Sequence, residues 1–170
     1  MFGWNVFLAF IPYLISLYFE KIKEKKVLFY FSIIVFILFL PNAFYLITDF
    51  IHLQNHKYYE TIYVYTRSLD IWVALIHIAL GFILGIIFGT YSLINLEKIV
   101  QKKYQQLIII FICLLSGIGI YIGRFLRFNS WDIIKPITLI KKLITSIDVF
   151  SLGFILLISA SIYLFYLVFG

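Results

Sequence analysis

An all-α, polytopic membrane helix bundle follows from three features of this sequence. Hydrophobic residues make up 64% of the chain and charged residues only 13%, about half the ~25% usual in a soluble domain. A chain of 170 residues has no core large enough to hide that much apolar surface from water, so lipid must be the solvent for much of it. The apolar residues also fall into five blocks of near-spanning length, at residues 2–19, 27–47, 71–95, 107–126 and 149–169. Finally, tyrosine and tryptophan are abundant, and rings with a polar tip suit the boundary between lipid and water. No internal repeat, linker or soluble module interrupts the pattern, so residues 1–170 form one transmembrane domain.

The first block, residues 2–19, reaches ~27 Å at ~1.5 Å per residue, just enough to span. Pro12 should kink it, which helices in lipid tolerate. No basic segment precedes the block and no small-residue cleavage site follows, so it is expected to be retained as a span. A loop with four lysines follows at residues 20–26. In the second block, Pro41 frees a carbonyl that Asn42 or water could satisfy. Residues 48–69 form the longest polar segment, with Asp49, His52, His56, Lys57, Glu60 and Arg67. The third block starts after Asp70, and Gly81, Gly85 and Gly89 put a small-residue seam on one face. Such a seam lets a partner helix approach closely, and this reading is favoured over a narrow pore lining.

Residues 97–106 carry three lysines before the fourth block. That block ends in the stretch GIGIYIGRFLRFNSWDIIKP, residues 117–136, which sets more polar chemistry against hydrocarbon than any other part of the chain. Beyond it, Ile140, Leu143, Ile144 and Ile147 follow helical spacing, with Lys141 and Lys142 elsewhere on the wheel. Residues 137–148 are therefore expected to form a short amphipathic helix lying in the interface. The single cysteine, Cys113, sits mid-helix in apolar company, without a disulfide partner or metal-ligand spacing.

Five alternating spans bring the loop after the second span and the loop after the fourth to the same side. Those loops hold most of the acidic residues and all three arginines, while the opposite loops hold lysines and glutamates of anchoring type. Each side carries seven basic residues. Setting aside Arg124 and Arg127 as embedded rather than topogenic leaves seven lysines on the other side against five, which places the polar face outside the cell. The net charge of +6 is thereby explained by membrane anchoring rather than by nucleic acid.

Several residues at this face could carry chemistry. Arg124 and Arg127, three apart, are expected to share a helix face. The plainer reading pairs them with Asp49, Asp70 or Asp132; the sharper one makes them a guanidinium fork for phosphate or carboxylate. Asp49 and His52 could act as an acid/base pair. With His56 they would line up on a helix, a weak pattern for metal, and no metal or cofactor is expected. His77, inside the third span, is more simply a hydrogen-bonding partner of a neighbouring helix, with Ser116 and Tyr121 as candidates, than a proton relay.

Three stretches, WNVFLAFIP at 4–12, LPNAFYLITDFIHL at 40–53 and GIYIGRFLRFNSWDIIKP at 119–136, resemble a bacterial membrane protein family known as domain of unknown function 1361. The likeness spans nearly the whole chain. It departs at Phe44, where the family tends to have proline. Members usually carry further apolar sequence ahead of the WN motif, whereas this chain starts there, so by this likeness it is short of a helix or two. The resemblance supplies no reaction. It implies a multi-pass protein of the bacterial plasma membrane, with Asn42, Asp49, His52, Asp70, Arg124, Arg127, Asn129, Trp131 and Asp132 at its site; His56 and His77 lie outside the pattern.

The function expected from these residues is binding or processing of an anionic headgroup or lipid-linked phosphate. Asn42, Asp70, Arg124, Arg127, Asn129, Trp131 and Asp132 would contact the ligand, and Asp49 and His52 would do acid/base work; whether a reaction occurs is left open. A transporter or transporter subunit is the alternative, ranked lower because its polar residues should run through the full depth of several helices. A structural partner in a membrane complex, docking through Gly81, Gly85 and Gly89, is the third reading.

Overall fold

A computed structural model describes residues 2–128 and 136–170. Among them are seven α-helices: α1 (Phe2–Ser16), α2 (Phe19–Ile22), α3 (Lys26–Tyr45), α4 (Leu69–Ile99), α5 (Gln105–Phe125), α6 (Pro136–Thr145) and α7 (Val149–Phe169). The all-α bundle expected from composition is what the chain forms. Four segments are long and apolar enough to cross a membrane: Lys26–Asn55, Leu69–Ile99, Lys102–Phe125 and Val149–Phe169. The chain is accordingly a multi-pass membrane protein by the length and composition of its helices.

The first apolar helix is shorter than the block that encodes it. It stops at Ser16, a length of ~22 Å. The Ser16 hydroxyl donates to the carbonyl of Tyr13 and accepts from Asn95 of α4, so it competes with helix continuation. A turn at Leu17 and Tyr18 then lets α2 drive Phe19 into the core, edge-on to Phe29 and Phe36. By contrast, α4 overshoots its expected block and runs ~46 Å.

Helix α3 is the hub, packed by α1, α4 and α5, while α7 lies against α5. Its buried face of Phe36, Leu40, Ala43 and Phe44 meets Leu93, Ile109 and Ile120. The glycine seam of α4 is what permits this. A Cβ at Gly85 would run into the carbonyl of Ala43, and one at Gly89 into the ring of Phe44. The backbones approach because the side chains are missing, and at Gly85 and Gly89 the space is filled from within the same chain.

The polar segment after α3 is not the α-helical end expected from the spacing of its histidines. Leu46–Asn55 is a 3₁₀ helix, three residues per turn. A short antiparallel hairpin follows, β1 (Tyr59–Thr61) and β2 (Val64–Tyr65), with a register irregularity between Tyr59 and Thr61. The YETIYVY run alternates as a strand does, but over too few residues for a clear period. At the start of α7, Asp148 closes a capping box: its side chain accepts from the Ser151 amide at 2.7 Å, and Ser151 Oγ accepts from the Asp148 amide at 2.7 Å.

Candidate functional site

The polar end of the bundle is built around one ion pair. Thr48 and Asp49 lie in the 3₁₀ helix, one turn past the end of α3, and Arg124 in the last turn of α5. Arg124 Nη2 lies 2.7 Å from Asp49 Oδ1, both side chains being largely buried. Its Nε donates to Thr48 Oγ1 at 3.0 Å, and Nη2 reaches the same hydroxyl. The guanidinium lies over the ring of Tyr45, 4.2 Å from its centroid, an added cation–π attraction. From α1, Asn5 Nδ2 reaches Asp49 Oδ2 at 3.5 Å. Three helices and the polar segment are thus tied at one point.

Of the two acid/base candidates, Asp49 is buried and engaged by Arg124 and Asn5. His52 Nε2 is 4.0 Å from Asp49 Oδ1 and its side chain is 60% exposed. That separation exceeds a hydrogen bond. The 3₁₀ turn stacks positions i and i+3, so Asp49 and His52 do align. His56 does not: it lies past the end of that helix in extended backbone, its ring against Tyr58. Among the described residues no three His, Cys, Asp or Glu side chains gather to hold a metal ion.

The expected sharing of one helix face by Arg124 and Arg127 is not found. Helix α5 ends at Phe125, and Arg127 has a φ of 56°, left-handed backbone normally left to glycine. The Phe128 amide turns back to the carbonyl of Ile122. Arg127 is exposed and lies beyond the end of the helix that carries Arg124. Asp70 is exposed in the first turn of α4 and makes no ion pair among the described residues; there it complements the helix dipole. Asn129, Trp131 and Asp132 lie outside the described residues. His77 bonds the carbonyl of Val73 in its own helix at 2.9 Å, and the Tyr121 hydroxyl donates to the carbonyl of Ser146.

Beside the ion pair lies a cavity of about 540 Å³. Leu8 of α1, Ile37 and Leu38 of α3, and Leu115 and Ile118 of α5 make its apolar walls, with Leu139 and Ile140 of α6 closing one side. The lining residues with polar side-chain atoms are Trp4, Asn5, Asn42 and Tyr45. Asn5 and Tyr45 are also the groups touching Asp49 and Arg124, so the cavity and the ion pair share a wall. Asn42 donates to the carbonyl of Phe39 at 3.0 Å. Pro41, lacking an N–H, leaves the Ile37 carbonyl without its helical donor, and both residues line the cavity. Gly119 makes room for the Pro41 ring, whose Cγ would lie 2.6 Å from a Cβ at that position. Phe128 lines the cavity as well, and Lys142 Nζ sits 5.0 Å from the centre of its ring.

Sequence reasoning missed Asn5, Tyr45, Thr48 and the wall residues of α6. Asn5 had a signal, an amide in the first turn of an apolar helix. Tyr45 and Leu139 had none, because their role arises only when the helices meet. No curated protein and no solved structure matches the chain. Residues 4–165 match the family described as "Protein of unknown function (DUF1361)", and with nearly its whole length covered the chain belongs to that family.

Proposed function

We propose that this protein binds an anionic amphiphile, a lipid or lipid-linked phosphate, at the outer face of a bacterial plasma membrane. The chain of the ligand occupies the cavity between α1, α3, α5 and α6, and its charged head sits at the rim. The observation that carries this reading is the 540 Å³ cavity set against the polar end of the bundle, well within the ~300–1,000 Å³ of small-molecule sites. Inside a bilayer an apolar wall offers a hydrocarbon chain little that other lipids do not. Selectivity therefore falls to the rim.

There the chemistry favours an anion. Phe128 brings Lys142 to the rim through its ring, and Arg127 is its exposed neighbour in sequence. Asn5, Asn42 and Tyr45 add polar groups on the cavity wall. Arg124 is committed to Asp49 and holds the walls in place rather than gripping ligand. Binding, not turnover, is the activity this arrangement supports.

The test is a melting titration of delipidated protein in uncharged detergent. Phosphatidylglycerol should raise the melting temperature and phosphatidylcholine should not, and Arg127→Gln with Lys142→Gln should abolish the difference. Equal stabilisation by both lipids would remove headgroup recognition and with it the proposal.

A further inference from the structure

We infer that the hairpin of β1 and β2 is a membrane-surface wedge, with its tip, Ile62 and Tyr63, set into the lipid headgroup region. This stands apart from the ligand reading of the cavity. A lone two-stranded hairpin is marginal in water, and this one has three residues in one strand and two in the other. Every residue from 59 to 65 is exposed, Ile62 at 82% and Tyr63 at 90%. The Tyr59 and Tyr65 rings pack on each other across the hairpin, 4.8 Å apart between centroids.

Its base, however, is fixed. The Thr66 amide donates to the carbonyl of Tyr58 and its hydroxyl to that of Lys57. Trp72 Nε1 donates to the Thr66 carbonyl at 3.2 Å, and its ring approaches Tyr65. Trp72 belongs to the first turn of α4, one of the four spanning helices. The base of the hairpin therefore sits where a span leaves the bilayer, and four residues of strand carry the tip at most ~13 Å from there. The headgroup region lies within reach of the tip.

Apart from Glu60 and Thr61, the hairpin side chains are those the lipid boundary selects. Tyr59, Tyr63, Tyr65 and Trp72 are interfacial in type, and Ile62 and Val64 are apolar. Lys57 and Arg67 flank the base, suited to lipid phosphates. On the same face α6 also exposes Ile137, Ile140 and Ile144, so a second apolar surface meets lipid at this level. The occupant of the hairpin tip is the bilayer surface, entered to about 5–10 Å as for other interfacial elements.

The experiment places an environment-sensitive fluorophore at Tyr63→Cys, with Cys113→Ala, in lipid nanodiscs. A second label at Glu24→Cys, in the exposed lysine loop, gives the aqueous reference. The label at position 63 should be blue-shifted, quenched by lipids spin-labelled high in the acyl chain, and several-fold less open to iodide than the label at position 24. Adding Ile62→Asp should return iodide access to it. Iodide access equal to that at position 24 would overturn the inference. So would protection from both iodide and lipid quencher, which would mean that protein covers the tip.

Discussion

Arg124 is held on three sides, by Asp49, Thr48 and Tyr45, in a place with little water. Removing one partner leaves the other charge buried and unpaired. Arg124→Ala should therefore destabilise the protein by about 3–5 kcal/mol, and adding Asp49→Ala should restore most of the loss. Thermal melting of the two single variants and the double variant measures this, and an additive double variant would show that the pair is not coupled. Arg127 behaves differently. Its left-handed backbone costs ~1–2 kcal/mol in a residue other than glycine. Arg127→Gly should hold or raise the melting temperature while weakening binding of phosphatidylglycerol, a combination that a structural arginine would not give. An acidic partner for Arg124 was legible in the sequence, but which of three was not, because sequence parity gathers residues at a face without measuring distances. The separation of Arg127 from Arg124 was hidden for a local reason: no glycine or proline marks the end of α5.

At the level of single elements, the long apolar helices were legible because lipid imposes a length and a composition on them. Helix α7 occupies residues 149–169, the same as its apolar block. The polar segment after α3 was not legible, since a 3₁₀ helix does not follow the α period and a seven-residue hairpin leaves too few periods to count. The α4 seam makes the sharpest demand. Gly85→Ala forces a methyl group into the carbonyl of Ala43, and it should cost about 1–3 kcal/mol as overpacking; an unchanged melting temperature would mean that α3 and α4 can separate freely. The α7 cap adds a dependence on pH. Hydrogen bonds from Ser151 hold the Asp148 carboxyl below its ordinary 3.8. A folded-state value that is depressed means the cap contributes fully above 3.8 and is lost as pH falls through the lower folded value. Asp148→Ala should thus melt below wild type at neutral pH, and the gap should close under acid; a constant gap would assign the effect to something other than the carboxylate.

For the molecule as a whole, parity puts the loop after α3 and the loop after α5 on one side, whether or not the short α1 crosses the membrane. The loop after α3 and the loop after α5 are each separated by two spanning helices, α4 and α5. Cysteines at Lys57 and Thr138, with Cys113 replaced, should react alike with an impermeant reagent, and one at Glu24 oppositely; unlike reactivity at 57 and 138 would break the topology. The same parity brings Asp49, Arg124 and α6 around one cavity, and on that cavity the functional account rests. Its volume was invisible in the sequence, because a void belongs to no residue. Leu139→Trp fills it from α6, the element with its apolar side chains most open, and so with little disturbance to the bundle core. Native mass spectrometry of protein purified from membranes, wild type against Leu139→Trp, measures retained lipid directly. Wild type should keep one anionic amphiphile and the variant none, at equal melting temperature; equal retention by both proteins, or retention of zwitterionic lipid alone, would contradict the assignment of this cavity as an anionic amphiphile site.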